Sequence, residues 1–594
     1  MNQISNRNIA NKTKAFFSIY RKRWDLPGNN IFKKVFAHLS LTERVIFNIL
    51  IVIFIFSGLI LFWQVNRALM IEIPTRGGSI VEGVIGTPRF VNPLLALPGS
   101  DADRDLTALI YSGLLRSTPG GELKNDLAES YEVSEDNSVF TFTLKDEIYF
   151  HDGTPVTAAD VEFTILKAQD PDLRSPKRIN WEGVKVEVLS EKKIRFTLSQ
   201  PYAPFLENAT LGIIPKHLWD KMSAEQFAFS FLNIEPVGSG PYQIRSVRRD
   251  SSGIPTLYNL TSFKHCALGE PFIENITIKF YPNEQELVSA FERKQIESMH
   301  SLSPETARKL KERDTRVVSV TLPRVFGAFF NQNQASVFTH KEVRAALNLS
   351  VPRERIVEEV LYGFGQTLDK PIPSVYLKDD TSSAGPEERF EKAVGLLEDN
   401  GWKLNKDGVR QKTTKNNKES LSFSISTSNI PDLKNTAAIL KEEWEKLGAN
   451  VEIKIFEANG DISQNVIRPR RYDMLLFGQS IGRDLDLYPF WHSSQRNDPG
   501  FNIALYANIT TDKLLEKARV TSDKKEGLEI LGLFEKEIEK DIPAIFIYSP
   551  DFIYVAPPKL QSLELGVITN PSERFTNIHN WYTETEKVWK IFAK

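Results

Sequence analysis

One apolar run near the N-terminus constrains this chain more than any other feature. Residues Val45 to Trp63, VIFNILIVIFIFSGLILFW, carry no charge over 19 positions. A helix rises about 1.5 Å per residue, so the run would span about 28 Å, close to the hydrocarbon thickness of a bilayer. Trp63 stands at its end, where aromatic side chains are common in membrane helices. The sequence therefore predicts one transmembrane helix, residues 45–65.

The alternative for this run is a cleaved signal peptide. Such a peptide usually has an apolar region of about 7–15 residues followed by a small-residue cleavage site. The run is longer, and the QVNRALM after it has no A-x-A pattern. The only cysteine, Cys266, lies far away, which excludes a lipoprotein signal and an internal disulfide. We therefore expect a retained membrane anchor.

The distribution of charge gives this anchor a direction. Residues 1–44 form a basic leader with nine basic and two acidic side chains, a net charge of +7. Because the whole chain has a formal charge of −2, the remainder carries −9. Basic flanks stay on the cytoplasmic side. We expect residues 1–44 inside the cell and everything beyond a short tether, residues 66–77, outside it. Nothing in this charge balance indicates nucleic-acid binding.

The part after the tether alternates between strand and helix patterns, which predicts a mixed α/β fold with several antiparallel strands. In PDLKNTAAILKEEWEKLGANVEIKIFE, a helix is followed by a strand in which apolar and charged residues alternate. Gly448 between them can take the left-handed conformation that ends many helices. At 594 residues, the chain is too long for one ordinary domain.

The stretch IYFHDGTPVTAADVEFTI places a histidine beside an aspartate, as some active sites do. Its pattern also fits a strand, a tight turn at Asp152-Gly153, and a helix that begins with the capping-box spacing of Thr157 and Asp160. A catalytic pair of His151 and Asp152 would need a nucleophile and an orienting group, and none lies nearby in the sequence. We interpret the stretch as a structural corner and expect no enzyme activity.

The same stretch resembles the F-H-D-G-x-P-x-T-A-x-D-V signature of the family 5 extracellular solute-binding proteins. This family includes the peptide- and nickel-binding components of ABC importers. Further motifs follow in the order the family has them: TPRFVNPLLA, PVGSGPYQI, GAFFNQNQASVFTHKEVRAALNLSVPRERIVEEVLYGFG and YDMLLFG. The resemblance covers nearly everything after Ser79.

This resemblance implies a two-lobe clamp of the type II periplasmic-binding-protein class, with an extra subdomain on the first lobe. We expect lobe I to comprise residues 78–100, 236–322 and 545–594, its subdomain residues 101–235, and lobe II residues 323–544. Ligand would bind between the lobes, which close by a hinge motion.

The function that the resemblance implies is that of a substrate-binding protein of an ABC importer. It would act as a monomer and deliver peptides or a similar small solute to permease subunits. The alternative is a membrane-anchored sensor or scaffold that uses the same clamp.

The resemblance also indicates where ligand would bind. Peptide-binding relatives often hold the free amine with an Asp shortly after the glycine of the segment FGQSIGRDLDLYPFWHSS, but here Ile481 or Gly482 stands there. Asp484 matches a later acidic residue and could pair with a cationic ligand, or it could be a solvated or helix-capping Asp. Asn333 could be a polar strand end and Tyr488 a packing aromatic. The candidate ligand-binding residues are Asn331, Asn333, Tyr362, Gln479, Ser480, Arg483, Asp484 and Tyr488.

Nickel and haem are ligands of some relatives. The eight histidines of this chain are scattered, and none forms a pair with metal-ligand spacing such as H-x-x-x-H. We therefore expect no metal site and no cofactor.

Overall fold

The computed structural model describes residue 37 and residues 39–374, 376–377, 385–413, 418–458 and 460–592. The chain divides into two compact units. The first contains the described residues up to Ile73 together with residues 585–592, and the second is Pro74–Glu584.

The first unit is built on the helix Leu41–Leu69, which contains the predicted transmembrane run. Ser40 and Glu43 form a capping box at its start, so the backbone N–H groups there are satisfied. Among the described residues, this is the one helix long and apolar enough to cross a membrane. It continues past the apolar run to Leu69, and a strand begins at once with Met70. The predicted tether, residues 66–77, thus contains regular structure.

The strands are numbered in chain order. They are β1 (Met70–Thr75), β2 (Ser79–Ile85), β3 (Leu115–Ser117), β4 (Leu123–Asn125), β5 (Ala128–Val133), β6 (Val139–Leu144), β7 (Lys185–Ser190), β8 (Lys193–Thr197), β9 (Tyr242–Arg249), β10 (Pro255–Ser262), β11 (Asn275–Tyr281), β12 (Ser298–His300), β13 (Val317–Thr321), β14 (Arg324–Phe330), β15 (Gly365–Thr367), β16 (Trp402–Leu404), β17 (Arg410–Thr413), β18 (Lys418–Ser420), β19 (Ser422–Ser428), β20 (Asn450–Phe456), β21 (Met474–Ser480), β22 (Ala544–Val555) and β23 (Glu584–Trp589).

After Leu41–Leu69, the α-helices are Asp101–Ile110, Ala158–Gln169, Arg178–Trp181, Lys216–Trp219, Ala224–Phe229, Glu284–Glu292, Pro304–Lys311, Lys341–Leu349, Arg353–Glu359, Pro386–Asp399, Pro431–Lys446, Tyr488–Trp491, Ile509–Val520 and Lys524–Asp541. Shorter 3-10 segments are Ala203–Thr210, Phe231–Asn233, Ser336–Thr339, Ser493–Gln495, Pro571–Asn580 and Lys590–Phe592, and a π-helical turn is Ser463–Ile467.

Strand β22 joins the two halves of the largest sheet. One half has the order β20-β19-β21-β14 and the other the order β12-β2-β11-β10-β9, with β22 between β14 and β12. Residues 544–548 of β22 pair with β14, and residues 551–555 pair with β13. The predicted last part of lobe I, residues 545–594, begins inside this shared strand, and the predicted lobe boundaries stay a prediction.

Each half packs on its own apolar residues. Along β14, Ala328 and Phe330 belong to a core with Trp444, whereas Phe329 belongs to a second core with Trp491. Side chains alternate between the two faces of a strand, so this half is covered on both faces. The other half shares a core with the four-stranded sheet β5-β6-β8-β7, which lies within the predicted subdomain.

A buried ionic network connects β2 and the helix Asp101–Ile110 with the segment Pro571–Asn580 near the end of the second unit. The Arg574 guanidinium lies 2.9 and 2.6 Å from the two carboxylate oxygens of Asp105, and 2.8 Å from Oε1 of Glu82. Tyr554 donates to Glu82 at 2.9 Å, and Nε2 of His300 lies 3.0 Å from Asp105. All five side chains are buried. Burial alone would raise the pKa of Asp105, but Arg574 and His300 hold it well below its usual range.

Candidate functional site

A cavity of about 500 Å³ lies within the second unit, between segments that are distant in sequence. Its walls come from residues 120–131, 203–207, 483–487 and 515–531. The first two segments belong to the predicted subdomain and the last two to predicted lobe II. The cavity is therefore a candidate for the ligand cleft that the resemblance implies.

Arg483 connects the two sides of this cavity. Its Nη1 lies 3.2 Å from Oε2 of Glu207, and its Nη2 lies 2.5 Å from Oε2 of Glu573. Only 6% of the Arg483 side chain is exposed. Burial raises the pKa of Glu207, and the charge of Arg483 opposes that rise. The guanidinium thus neutralises two carboxylates and holds the loop of residues 481–488 against the subdomain.

Asp484 presents a carboxylate to the cavity and has no matching cation among the residues that the structure describes. The backbone N–H of Asp486 donates to Oδ1 of Asp484 at a long 3.4 Å. Within the described part of the chain, no Lys, Arg or His forms an ion pair with Asp484. Burial, reinforced by the nearby Asp486 carboxylate, raises the pKa of Asp484 to about 6. The site thus contains a carboxylate that a positively charged group would stabilise.

Asp486, two residues further, already has its cation. The Arg519 guanidinium approaches both carboxylate oxygens, with Nη2 2.6 Å from Oδ2 and Nε 3.0 Å from Oδ1. The Tyr202 hydroxyl donates to Asp486 at 3.3 Å. Arg519 also lies over the ring of Tyr488, 4.1 Å from its centroid. Asp486 is therefore paired within the cavity wall, whereas Asp484 has no ion-pair partner among the described residues.

Of the candidates from the sequence, Arg483 and Asp484 line this cavity, and Tyr488 packs behind its wall. Asn331 lies at the end of β14, where its side chain donates to the Arg470 carbonyl at 2.9 Å and accepts from the Asn333 N–H at 3.1 Å. Asn333 is exposed beside a separate cavity of about 300 Å³.

The other three candidates also lie away from the cavity that Arg483 and Asp484 line. Tyr362 has a positive φ of 51° and contacts Arg308 across its ring at 5.7 Å. Gln479 is buried within β21, and Ser480 is exposed at the end of that strand, opposite Arg324. Ligand contact by these residues stays a prediction.

Sequence reasoning did not include Glu207, Glu573 and Arg519 among the site residues. They lie 276, 90 and 33 residues from their partners in the 483–486 loop. No local motif marks them. A count of charges inside the predicted cleft is the signal that could have suggested them, because each buried charge there needs a partner.

The His151–Asp152 pair has a structural role. The His151 ring bonds to the Gly240 carbonyl at 3.1 Å and accepts from the Gly238 N–H at 3.3 Å. Asp152 accepts from the Thr154 N–H at 3.0 Å and lies 2.8 Å from Nε2 of His217. Burial lowers the pKa of His151 to about 4. The ring therefore joins the turn to residues 238–240 as a neutral group. The described residues contain no group of three His, Cys, Asp or Glu side chains arranged to hold a metal ion.

Comparison with known proteins identifies the family. Residues 122–500 match the family described as "Bacterial extracellular solute-binding proteins, family 5 Middle". The chain belongs to this family. The resemblance inferred from the motifs is thereby confirmed.

Relatives and solved structures agree over most of the chain. The oligopeptide-binding protein AppA of Bacillus subtilis is 28% identical over 520 residues, covering 86% of this chain and 92% of AppA. The structure of that protein with a nonapeptide matches with a TM-score of 0.65 and 26% identity, over 86% of this chain and 99% of AppA. NikZ from Campylobacter jejuni, in complex with Ni(L-His), matches with a TM-score of 0.66 and 24% identity, over 85% of this chain and 99% of NikZ. The predicted two-lobe type II clamp is confirmed.

Proposed function

We propose that this family 5 protein binds a small solute with a cationic group, in the class of short peptides, and delivers it to the permease of an ABC importer. The observation that carries this proposal is the Asp484 carboxylate, which faces the cavity without an ion-pair partner among the described residues. A buried charge is stable only when it is paired. A ligand ammonium in the cavity would supply the missing charge by a charge-assisted hydrogen bond.

The cavity volume of about 500 Å³ lies within the range of sites for ligands of drug-like size. A short peptide fits this size better than a single ion. AppA was solved with a nonapeptide and NikZ with Ni(L-His). Both ligands contain amino acids, which supports an amino-acid-based ligand here. The role is binding and release, and we infer no catalysis.

The second part of the proposal is that the helix Leu41–Leu69 is a retained anchor. It is longer than the apolar region of a signal peptide, and its apolar side chains are exposed along the 45–63 run. The basic leader would lie in the cytoplasm and the clamp outside it. Anchoring would keep the binding protein beside its permease.

Native mass spectrometry tests the binding proposal. The full chain, purified in detergent from its own cells, would be measured directly and after exposure to a peptide digest. Bound masses that differ by amino-acid residues would support peptide capture and give the preferred length. A single non-peptide mass, or no bound mass after exposure to the digest, would refute it.

A further inference from the structure

The C-terminal strand returns to the point where the membrane helix ends. β1 and β23 form a two-stranded sheet. A Cβ atom on Gly77 would lie 2.6 Å from Oε2 of Glu584, and one on Gly78 would meet the Thr583 side chain. Further along, Lys587 forms an ion pair with Glu72 at 3.5 Å. In these contacts the residue numbers rise along one strand as they fall along the other, so the two strands are antiparallel.

This direction fixes where the residues after β23 lie. The register places Trp589 opposite residues 70–72, directly after the end of the helix at Leu69. A short 3-10 segment, Lys590–Phe592, follows β23 directly. The last described residues are therefore close to the last turn of the membrane helix.

The height of that position above the bilayer follows from helix geometry. The apolar run ends at Trp63 and the helix at Leu69, six residues later. Six residues rise about 9 Å, and the headgroup layer on one side of a bilayer is about 5–8 Å thick. The end of the helix thus lies at the outer boundary of the headgroup layer.

The residues placed there are apolar and uncovered. Trp589, Ile591 and Phe592 are 38, 77 and 72% exposed. Leu69 and Ile71 beside them are exposed as well. We call these five residues the juxtamembrane patch. Lys590, within the same segment, and Arg67, in the last turn of the helix, add positive charge. Aromatic and aliphatic side chains flanked by cations are typical of segments that lie in a membrane interface.

We propose that Trp589–Phe592 inserts into the headgroup layer of the bilayer from which the helix Leu41–Leu69 emerges. This is a second contact with the membrane, and it rests on the anchor in the proposed function. A lipid surface is the occupant because the helix geometry places the patch at the outer boundary of the headgroup layer, within reach of its side chains. Two attachment points, one covalent to the helix and one through β23, restrict how the β1–β23 pair tilts on the membrane.

Depth-dependent fluorescence quenching tests this inference on the full chain. The protein would be placed in vesicles of phosphatidylcholine and phosphatidylglycerol, with Cys266→Ala to remove the native thiol. A polarity-sensitive dye would be attached to Ile591→Cys, to Phe54→Cys in the membrane helix, or to Phe229→Cys. Phe229 is a matched control, because it is 83% exposed and lies in the second unit. The 591 and 229 side chains are exposed, so these substitutions leave the core intact.

Lipids that carry a nitroxide quencher should reduce emission from positions 591 and 54 and leave position 229 unchanged. Quenching at 54 with none at 591 would overturn the inference while the anchor stands, and it is also the result if a partner protein covers the patch. No quenching at 54 would remove the anchor and the inference together.

Discussion

Replacing Asp484 by Asn should have opposite effects on stability and on ligand affinity. In the free protein burial raises the pKa of Asp484 from its ordinary value near 3.8 to about 6. This rise in pKa corresponds to about 3 kcal/mol by which the ionised carboxylate destabilises the fold at pH 7. Because the carboxylate faces the cavity, this is an upper bound. Asn keeps the shape and removes the charge, so the ligand-free variant should unfold at a higher temperature.

The pH dependence has a definite sign. Between pH 4 and 6 the folded protein holds a proton on Asp484 that the unfolded chain lacks. Asp484 should therefore increase the free energy of unfolding of the ligand-free protein as the pH falls from about 6 to about 4. Asp484→Asn should lack this contribution.

Affinity should change in the other direction. Losing one partner of a buried charged pair costs about 2–5 kcal/mol, which raises the dissociation constant about 30- to 4000-fold. For the wild type, affinity for a cationic ligand should also fall below pH 6, where Asp484 takes up a proton.

The assay combines thermal unfolding with calorimetric titration. A library of dipeptides to hexapeptides would first be screened for the peptide that most raises the unfolding temperature of the wild type. That peptide and its N-acetylated form would then be titrated into wild type and Asp484→Asn. If Asp484 holds the amino group, acetylation should weaken binding to the wild type and have little effect on the variant.

Asp126→Asn is the matched control. Burial also raises the pKa of Asp126 to about 6, but this residue does not line the cavity. Its substitution should leave affinity unchanged. The reasoning is refuted if Asp484→Asn binds the peptide as tightly as the wild type, or if acetylation weakens both proteins equally.

Three further predictions concern buried ionisable side chains. Arg483→Met should lower the free energy of unfolding by about 3 kcal/mol, because Glu207 and Glu573 lose their cation. In chemical unfolding, the effects of Arg483→Met and Glu207→Gln should be non-additive. Additive effects would contradict the contact between the two residues. Arg574→Met should cost about 3–5 kcal/mol in the same assay, since two carboxylates stay buried, and a loss below 1 kcal/mol would argue against the network. His151 should contribute a loss of stability as the pH falls from 6.5 to 4, opposite in sign to the contribution of Asp484, because the unfolded chain takes up a proton that folded His151 does not. The free energy of unfolding of His151→Asn relative to wild type should therefore rise over this range, and a difference that does not change with pH would contradict this account.

Local patterns in the sequence were reliable guides to local structure. Thr157 and Asp160 form the expected capping box at the start of the helix Ala158–Gln169. Gly448 has the expected positive φ, 94°. Each feature depends on residues within a few positions of one another, so a single stretch of sequence contains all the information. The motif order likewise identified the family, because several motifs in one order are specific.

Features that depend on distant residues were not predictable from one sequence. The apolar run predicted the apolar part of the helix Leu41–Leu69, but the pairing of β1 with β23 depends on residues about 500 positions apart. In the site, the motif predicted a ligand contact for Asp484, and that contact stays a prediction. The pairing of Asp486 with Arg519, which leaves Asp484 without an ion-pair partner among the described residues, needs the three-dimensional arrangement.

Strand β22 also determines when a newly made chain can finish folding. It contributes the central pairing of both sheet halves, yet it begins only at Ala544. Domains usually fold during synthesis from the N-terminus onward. Here β12 and β14 each expose an unpaired edge until the ribosome has released nearly the whole chain, and such edges pair readily with other chains. Chains that stop before Ala544 should therefore aggregate or be degraded, and the cell should accumulate only full-length protein.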